Sequence, residues 1–180
     1  MKKYILLLAM VAGMLATASA QTYVTRNGQI SFYSKTSLED IKATNKQVFA
    51  AIDLSKKTVA FSLLMRGFLF DKQLMQDHFN ENYVESDKFP KATFNGSFTG
   101  AVENKPGKYP VQIEGKLTLH GVTQPVTIPA VLEVQSGSLS GTASFSVKPA
   151  DYKIEIPSVV KDKIAQQITV QVSIAGTPLK

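Results

Sequence analysis

The chain has 180 residues, a formal net charge of +6 at neutral pH and no cysteine. This length suits one domain with a sizeable core, and the lack of cysteine excludes disulfides and thiolate metal ligands. The lysines are scattered along the chain instead of clustering with aromatic residues, so no nucleic-acid-binding surface is predicted.

Residues 1–20 have the features of a secretory signal peptide. Two lysines follow the first methionine, residues 5–15 form a short apolar stretch, and Ala-Ser-Ala at 18–20 resembles a cleavage site. The apolar stretch is too short for a stable membrane span. We therefore expect cleavage near Ala20, a mature domain of residues 21–180 in the periplasm or outside the cell, and no integral membrane protein.

The first half of the mature domain predicts short strands. Residues 22–33 indicate either a strand pair or a bent strand, broken at the Asn-Gly pair at 27–28, since Asn-Gly favours hairpin turns. Residues 37–41 are interpreted as one helical turn. Strands are predicted over residues 47–53 and 58–66, joined by a turn.

In the next segment the apolar residues no longer occur at every second position but at the spacing of a helix. Residues 71–83 predict one α-helix, with Asp71 as its N-cap. Its apolar stripe is predicted to pack against the sheet and to cover an opening, because an uncovered tunnel would expose apolar lining to water. The stripe contains Leu74, Met75, His78 and Phe79.

The second half again predicts strands. From residue 111 to residue 120 apolar and polar side chains alternate without a break, which gives one apolar and one polar face. The predicted strands cover residues 92–98, 109–120, 125–134, 139–147 and 164–174. The chain is therefore all-β, with about eight antiparallel strands in a barrel or sandwich and one inserted α-helix. Eight strands can close around one small ligand.

Residues 120–125 predict a turn between two strands. Gly121 is expected to adopt a backbone angle that a side chain would resist, and Pro125 to begin the next strand. Three glycines on apolar faces, Gly96, Gly115 and Gly141, indicate bends or close approaches of the backbone.

The chemistry of an enzyme is not apparent in the sequence. The two histidines, His78 and His120, have no cysteine partners, and no Gly-x-Ser-x-Gly motif occurs. His120 is expected on the polar face at a strand end. We predict no catalytic residue, no metal site and no cofactor, and Gln166 is the one polar residue to consider inside the last predicted strand.

Two segments resemble the YceI-like family of exported bacterial proteins. One is His-Phe-Asn-Glu-Asn-Tyr-Val-Glu-Ser-Asp-Lys-Phe-Pro-Lys-Ala-Thr-Phe at 78–94, and the other is Gly-Lys-Leu-Thr-Leu-His-Gly-Val-Thr-Gln-Pro-Val at 115–126. The resemblance implies a lipocalin-like antiparallel β-barrel over most of residues 21–176. It also implies an elongated apolar cavity for a polyisoprenoid or a similar amphiphilic lipid.

The barrel interior is therefore the candidate site, with an isoprenoid-like or other long-chain lipid as the partner. A carrier protein is one hypothesis, and a stress-related structural or interaction protein with a filled barrel is the alternative. The sequence leaves open whether the chain forms a homodimer. The predicted ligand-binding residues are Phe61, Leu63, Met65, Phe94, Phe98, Ile113, Leu117, Leu119 and Phe145.

Overall fold

A computed structural model gives the structure of residues 22–179. The predicted signal peptide and its cleavage site near Ala20 lie outside these described residues.

Eight long antiparallel strands close into a barrel, as the sequence predicted. The strands are β1 (Thr22–Lys35), β2 (Asp40–Asp53), β3 (Thr58–Leu64), β4 (Leu69–Phe70), β5 (Lys91–Thr99), β6 (Gly107–Leu119), β7 (Val122–Gln135), β8 (Ser138–Val147) and β9 (Ile168–Pro178). The spatial order is β1-β9-β8-β7-β6-β5-β3-β2, and β1 also pairs with β2, which closes the circle. The two-residue strand β4 pairs with the first part of β2.

The apolar faces of these strands point into the barrel. Ile113 of β6 lies opposite Ile128 of β7, and both are buried, whereas the neighbouring Gln112 is exposed. Burial of the apolar side chains is the main favourable term in folding such a barrel. The period-2 pattern of the sequence therefore gives the correct faces.

The first strand is bent and does not form a hairpin. The pairing of β1 with β2 shifts register on both sides of Gly28. A Cβ at Gly28 would lie 3.1 Å from the Val48 carbonyl oxygen, so the backbones approach closely here. The β1–β2 turn instead lies at residues 36–39, where Thr36 N donates to Glu39 O at 3.0 Å, and the predicted helical turn over residues 37–41 is wrong.

The inserted helix is present but shorter than predicted. Helix α1 spans Gln73–His78 and continues as one π-helical turn over Phe79–Tyr83. Its N-cap position is Lys72, which makes no side-chain capping bond, so Asp71 is not the cap. Leu74 is 65% exposed, because so short a helix contacts the barrel along only one narrow side.

Several connections are 3₁₀ turns. They cover Met65–Gly67 after β3, and Pro149–Tyr152 and Ser158–Val160 between β8 and β9. The last strand begins at Ile168, later than predicted. Gln166 consequently lies before the strand and is exposed, so the prediction that it faces the barrel interior is wrong.

Two apolar clusters divide the barrel interior. The closed-end cluster lies near the β2–β3, β5–β6 and β7–β8 turns and includes Ile52, Phe98, Leu132 and Leu139. The open-end cluster lies near the opposite turns and includes Ala43, Val48, Leu63, Met65 and Phe68. The chain that connects β3 with β5, including α1, lies at the open end.

Candidate functional site

A cavity of about 310 Å³ occupies the open end of the barrel. Its wall is almost entirely apolar and is formed by β1, β3, β6, β8 and β9 together with the segments around α1 and between β8 and β9. Ligand pockets in proteins are typically about 300–1,000 Å³ and mostly apolar. The cavity can therefore accept an apolar group without any catalytic machinery.

Five of the nine predicted binding residues lie in the cavity wall. They are Leu63, Met65, Leu117, Leu119 and Phe145. The other four are not in the wall. Phe94, Phe98 and Ile113 are buried in the closed-end cluster, and Phe61 packs against both clusters. Strand alternation predicts the inner face for all nine, but it does not tell how deep each one lies, and Met65 lies in the 3₁₀ turn after β3.

A cluster of four phenylalanines in the cavity wall was missed by the sequence analysis. Phe79 lies 5.4 Å from Phe32, 5.7 Å from Phe68 and 5.1 Å from Phe70, measured between ring centroids. Phe68 and Phe70 are two residues apart, just after the strand predicted over residues 58–66. This spacing places both side chains on one face of an extended segment, and it could have revealed them as part of the wall. The four rings join β1, β4 and the helix into one side of the cavity.

The segment α1 and its π-helical turn form part of the cavity wall at the open end of the barrel. Met75, His78, Phe79 and Tyr83 all contribute to this wall. Leu74 is exposed and does not line the cavity, and the covering of an opening by the helix stays a prediction. Burial raises the pKa of Tyr83, so its phenol stays protonated beside the cavity.

A few polar groups lie at the same end. Glu39, Ser34, His78 and Lys163 are among the cavity-lining residues. The Glu39 carboxylate accepts from Lys72 Nζ at 3.2 Å, and Ser34 Oγ accepts from Ala165 N at 2.8 Å. An apolar wall with polar groups at one end suits a ligand that is itself apolar at one end and polar at the other.

His120 has a structural role near the site. It is buried, not on the polar face as predicted, and its φ is positive at 51°. Its Nδ1 lies 3.0 Å from Tyr152 O and its Nε2 3.0 Å from Glu85 Oε2. Burial, and secondarily the charge of Asp151, raises the pKa of Tyr152.

His120 and Gly121 form the two-residue turn of a hairpin. Leu119 pairs with Val122, and Gly121 has a φ of 71° as predicted. Pro125 lies within β7, opposite Lys116, and does not begin the strand. Its missing N–H is tolerated there, because β7 pairs with β8 only from Ala130 onward.

Residues 22–179 contain no group of three histidine or acidic side chains that could hold a metal ion. Over the same residues, no helix is long and apolar enough to span a membrane.

A family model for the YceI-like domain matches residues 17–175. The chain belongs to the YceI-like family. No curated protein matches the sequence of this YceI-like chain.

Solved structures share the fold of this YceI-like chain at low sequence identity. A polyisoprenoid-binding domain from Saccharophagus degradans aligns with a TM-score of 0.75 at 12% identity, covering 89% of this chain and 99% of that one. BcnA of Burkholderia cenocepacia aligns with a TM-score of 0.71 at 17% identity, covering 83% of this chain and 96% of BcnA. A Campylobacter jejuni YceI protein has a TM-score of 0.60 at 15% identity, with 100% of both chains covered.

Proposed function

We propose that this YceI-like chain binds an amphiphilic lipid of the isoprenoid type in its open-end cavity. It acts as a non-enzymatic carrier or sequestering protein in the periplasm or outside the cell. The observation that carries the proposal is the apolar cavity of about 310 Å³ beneath the helix α1. The description of the S. degradans domain as polyisoprenoid-binding supports it.

The energetics of such binding need no catalytic residue. Each CH₂ group removed from water contributes about 0.8 kcal/mol, so ten of them contribute about 8 kcal/mol before the cost of ordering the ligand. The polar residues Glu39, His78 and Lys163 at the cavity accommodate a polar end group. The apolar chain of the lipid then lies in the cavity, whose wall includes Leu119 and Phe145.

The alternative of a purely structural protein with a filled barrel fits the structure less well. The large side chains at the open end, such as Met65 and Phe68, leave a cavity of about 310 Å³ between them. A lipid-modifying enzyme would need a polar residue inside the barrel. The residue considered for this role, Gln166, is exposed and lies outside the cavity wall, so the structure does not support this alternative.

The direct test is native mass spectrometry of the protein purified from its exporting cells, followed by solvent extraction. We expect a bound lipid, or stoichiometric uptake of a polyprenyl alcohol by the delipidated protein. Only unliganded protein, with no uptake, would contradict the proposal. N-terminal sequencing of the exported protein should begin near Gln21, and an intact N-terminus in the cytoplasm would contradict the proposed location.

A pair of leucine variants tests whether the cavity is the binding place. Leu119 lines the cavity, whereas Leu64 on β3 is 52% exposed. Leu119→Gln should weaken binding of the polyprenyl alcohol by about tenfold, because it places an amide without partners in an apolar wall. Leu64→Gln changes the same side chain at the surface and should leave the affinity unchanged.

A further inference from the structure

Three segments of the cavity wall meet at the side chain of His120. The ring is buried, and its two nitrogens contact Glu85 Oε2 and the carbonyl oxygen of Tyr152, each at 3.0 Å. His120, Glu85 and Tyr152 each lie within two residues of a residue that lines the cavity. These three lining residues are Leu119, Val84 and Ile154. The histidine therefore joins three parts of the wall that are far apart in the chain.

The backbone is strained at all three of these places. The angle φ is 51° at His120, 43° at Glu85 and 56° at Lys153, which directly follows Tyr152. Residues with a side chain rarely adopt a positive φ, and such strain persists only where the surroundings hold it. In the described part of the chain the one other non-glycine residue of this kind is Lys57, in the β2–β3 turn. The strain is thus concentrated where the contacts of the ring join the wall segments.

The hydrogen bonds of the ring depend on its protonation. Both of its partners, a carbonyl oxygen and a carboxylate, are acceptors. The hydrogen bonds from Lys88 and then from His120 lower the pKa of Glu85, so the carboxylate stays ionised. A doubly protonated imidazole donates to both partners, whereas the neutral ring has one N–H and leaves one acceptor facing a bare nitrogen.

The imidazole is the group at this junction that ordinarily changes its charge near neutral pH. Carboxylates, lysines and tyrosines ordinarily titrate outside the range of about pH 5 to 8, and burial raises the pKa of Tyr152 further. The titratable neighbours of the ring are Glu85 and its ion-pair partner Lys88 on one side, and Tyr152 with its chain neighbours Asp151 and Lys153 on the other.

We propose that His120 is a positioning residue whose protonated ring holds the cavity wall together around the bound lipid. When the ring loses a proton, one of the two wall segments loses its hydrogen bond, and the lipid leaves faster. His120 acts through these segments, since it does not itself line the cavity. The proposal rests on the proposed lipid-binding function and adds to it a dependence of lipid retention on pH.

The test is the rate at which the uncharged dye N-phenyl-1-naphthylamine leaves the delipidated protein. Stopped-flow displacement by excess farnesol measures this rate at about pH 5.5 and about pH 8. Neither compound titrates in this range, so any change of rate belongs to the protein. The release rate should rise about tenfold at the higher pH, as expected for the loss of one hydrogen bond to a charged group.

The chain has two histidines, which gives a matched pair of variants. His120→Gln should release the dye fast at both pH values, because the amide oxygen cannot donate to the second acceptor. His78 lies in α1 and lines the cavity, so His78→Gln can change the affinity but should keep the rise of the release rate with pH.

Glu85→Gln tests the same contact in the opposite direction and serves if His120→Gln does not fold. Its amide can donate to the bare nitrogen of the neutral ring, so release should stay slow at about pH 8. Fast release from Glu85→Gln at the higher pH would overturn the role of this hydrogen bond.

Hydrogen exchange of the unliganded protein tests the junction without any ligand. After correction for the intrinsic effect of pH, residues 84–89 and 149–154 should exchange faster at about pH 8 in the unmodified protein but not in Glu85→Gln. Equal corrected exchange at both pH values would overturn the proposal.

The outcomes separate this proposal from the proposed function. Failure of the dye and of farnesol to bind at either pH would contradict lipid binding, and the exchange measurement then judges the junction alone. Binding with the same release rate at both pH values would overturn the role of His120 and leave lipid binding intact. A pH dependence that disappears in His78→Gln and persists in His120→Gln would also overturn it.

Discussion

His120 and Glu85 are joined at the open end of the barrel, with Nε2 of the histidine 3.0 Å from Oε2 of the glutamate. The other ring nitrogen lies 3.0 Å from the carbonyl oxygen of Tyr152, and the ring packs edge-on against Phe89 at 4.4 Å. Both polar partners accept hydrogen bonds, so the ring donates to both only when both nitrogens carry protons. One side chain thus connects the β6–β7 turn with the two segments that flank the cavity.

We expect His120→Ala to lower the free energy of unfolding by about 1–3 kcal/mol, because it leaves the buried Tyr152 carbonyl without a partner. Urea unfolding of the variant measures this. A double-mutant cycle with Glu85→Gln should show coupling between the two side chains. Additive effects would mean that the contact between His120 and Glu85 contributes nothing to stability.

Gly121 provides a second test of the same turn. Its φ is 71°, and a Cβ there would lie 2.6 Å from Phe89 Cε1. Gly137 has a φ of 76° but nothing within 4 Å of a Cβ. Gly137→Ala should therefore cost only the backbone strain, about 1 kcal/mol, whereas Gly121→Ala should cost more because Phe89 must also move.

Thermal unfolding of the two glycine variants compares them directly. Equal losses of stability would show that Phe89 adjusts freely. Loss of lipid binding by Gly121→Ala with an unchanged melting temperature would make the turn a binding element and not an architectural one.

The alternation of apolar residues was sufficient to predict the barrel, because a closed sheet buries one face of every strand. It left open whether residues 22–33 form a strand pair or one strand that bends at Gly28. There the Asn-Gly pair favours a local hairpin, but pairing of β1 with both β2 and β9 keeps the strand continuous. Long-range pairing therefore overrides the local turn preference.

The sequence also could not predict how deep the cavity reaches into the barrel. Phe94 and Leu117 face each other on neighbouring strands, yet only Leu117 lines the cavity. The helical period of residues 71–83 correctly predicted a helix but not the exposure of Leu74, because a short helix over an opening buries less than one packed along a sheet.

The contacts of Asp53 predict how the free energy of unfolding changes at acidic pH. Its Oδ1 accepts from Lys56 N at 2.8 Å, and its Oδ2 accepts from Thr22 Oγ1 at 3.1 Å. The hydrogen bond from Lys56 N, helped by Thr22 and by the charge of Lys56, lowers the pKa of Asp53 from its usual 3.8. The ionised form is favoured in the folded protein, so its contribution is present above pH 3.8 and is lost as the pH falls through the lowered pKa.

We expect Asp53→Asn to lower stability at pH 7 by about 1–2 kcal/mol and to flatten the decline of stability below pH 4, since the titrating group is gone. Urea unfolding of both proteins at a series of pH values gives the two curves. Asp40→Asn is the control, because Asp40 is exposed and its contact with Lys35 Nζ is 3.9 Å long. If stability declines equally steeply below pH 4 in Asp53→Asn and in the unmodified protein, Asp53 does not cause the decline.

Phe79 tests whether the helical segment acts as a lid. Its ring packs against Phe32, Phe68 and Phe70 and lines the cavity, but it is only half-buried. Phe79→Ala should therefore cost less than the roughly 3 kcal/mol of a fully buried ring. It should also speed lipid release, because the contacts that hold the helix over the cavity are lost.

Stopped-flow displacement of a bound fluorescent lipid measures the release rate, with Leu74→Ala as the control. Leu74 belongs to the same helix but is 65% exposed, so its removal should change neither stability nor release. Hydrogen exchange at Gln73–His78 should slow when lipid binds, since the ligand adds contacts beneath the helix. Identical exchange with and without lipid, together with unchanged release from Phe79→Ala, would show that the helix is a fixed wall of the cavity and does not open.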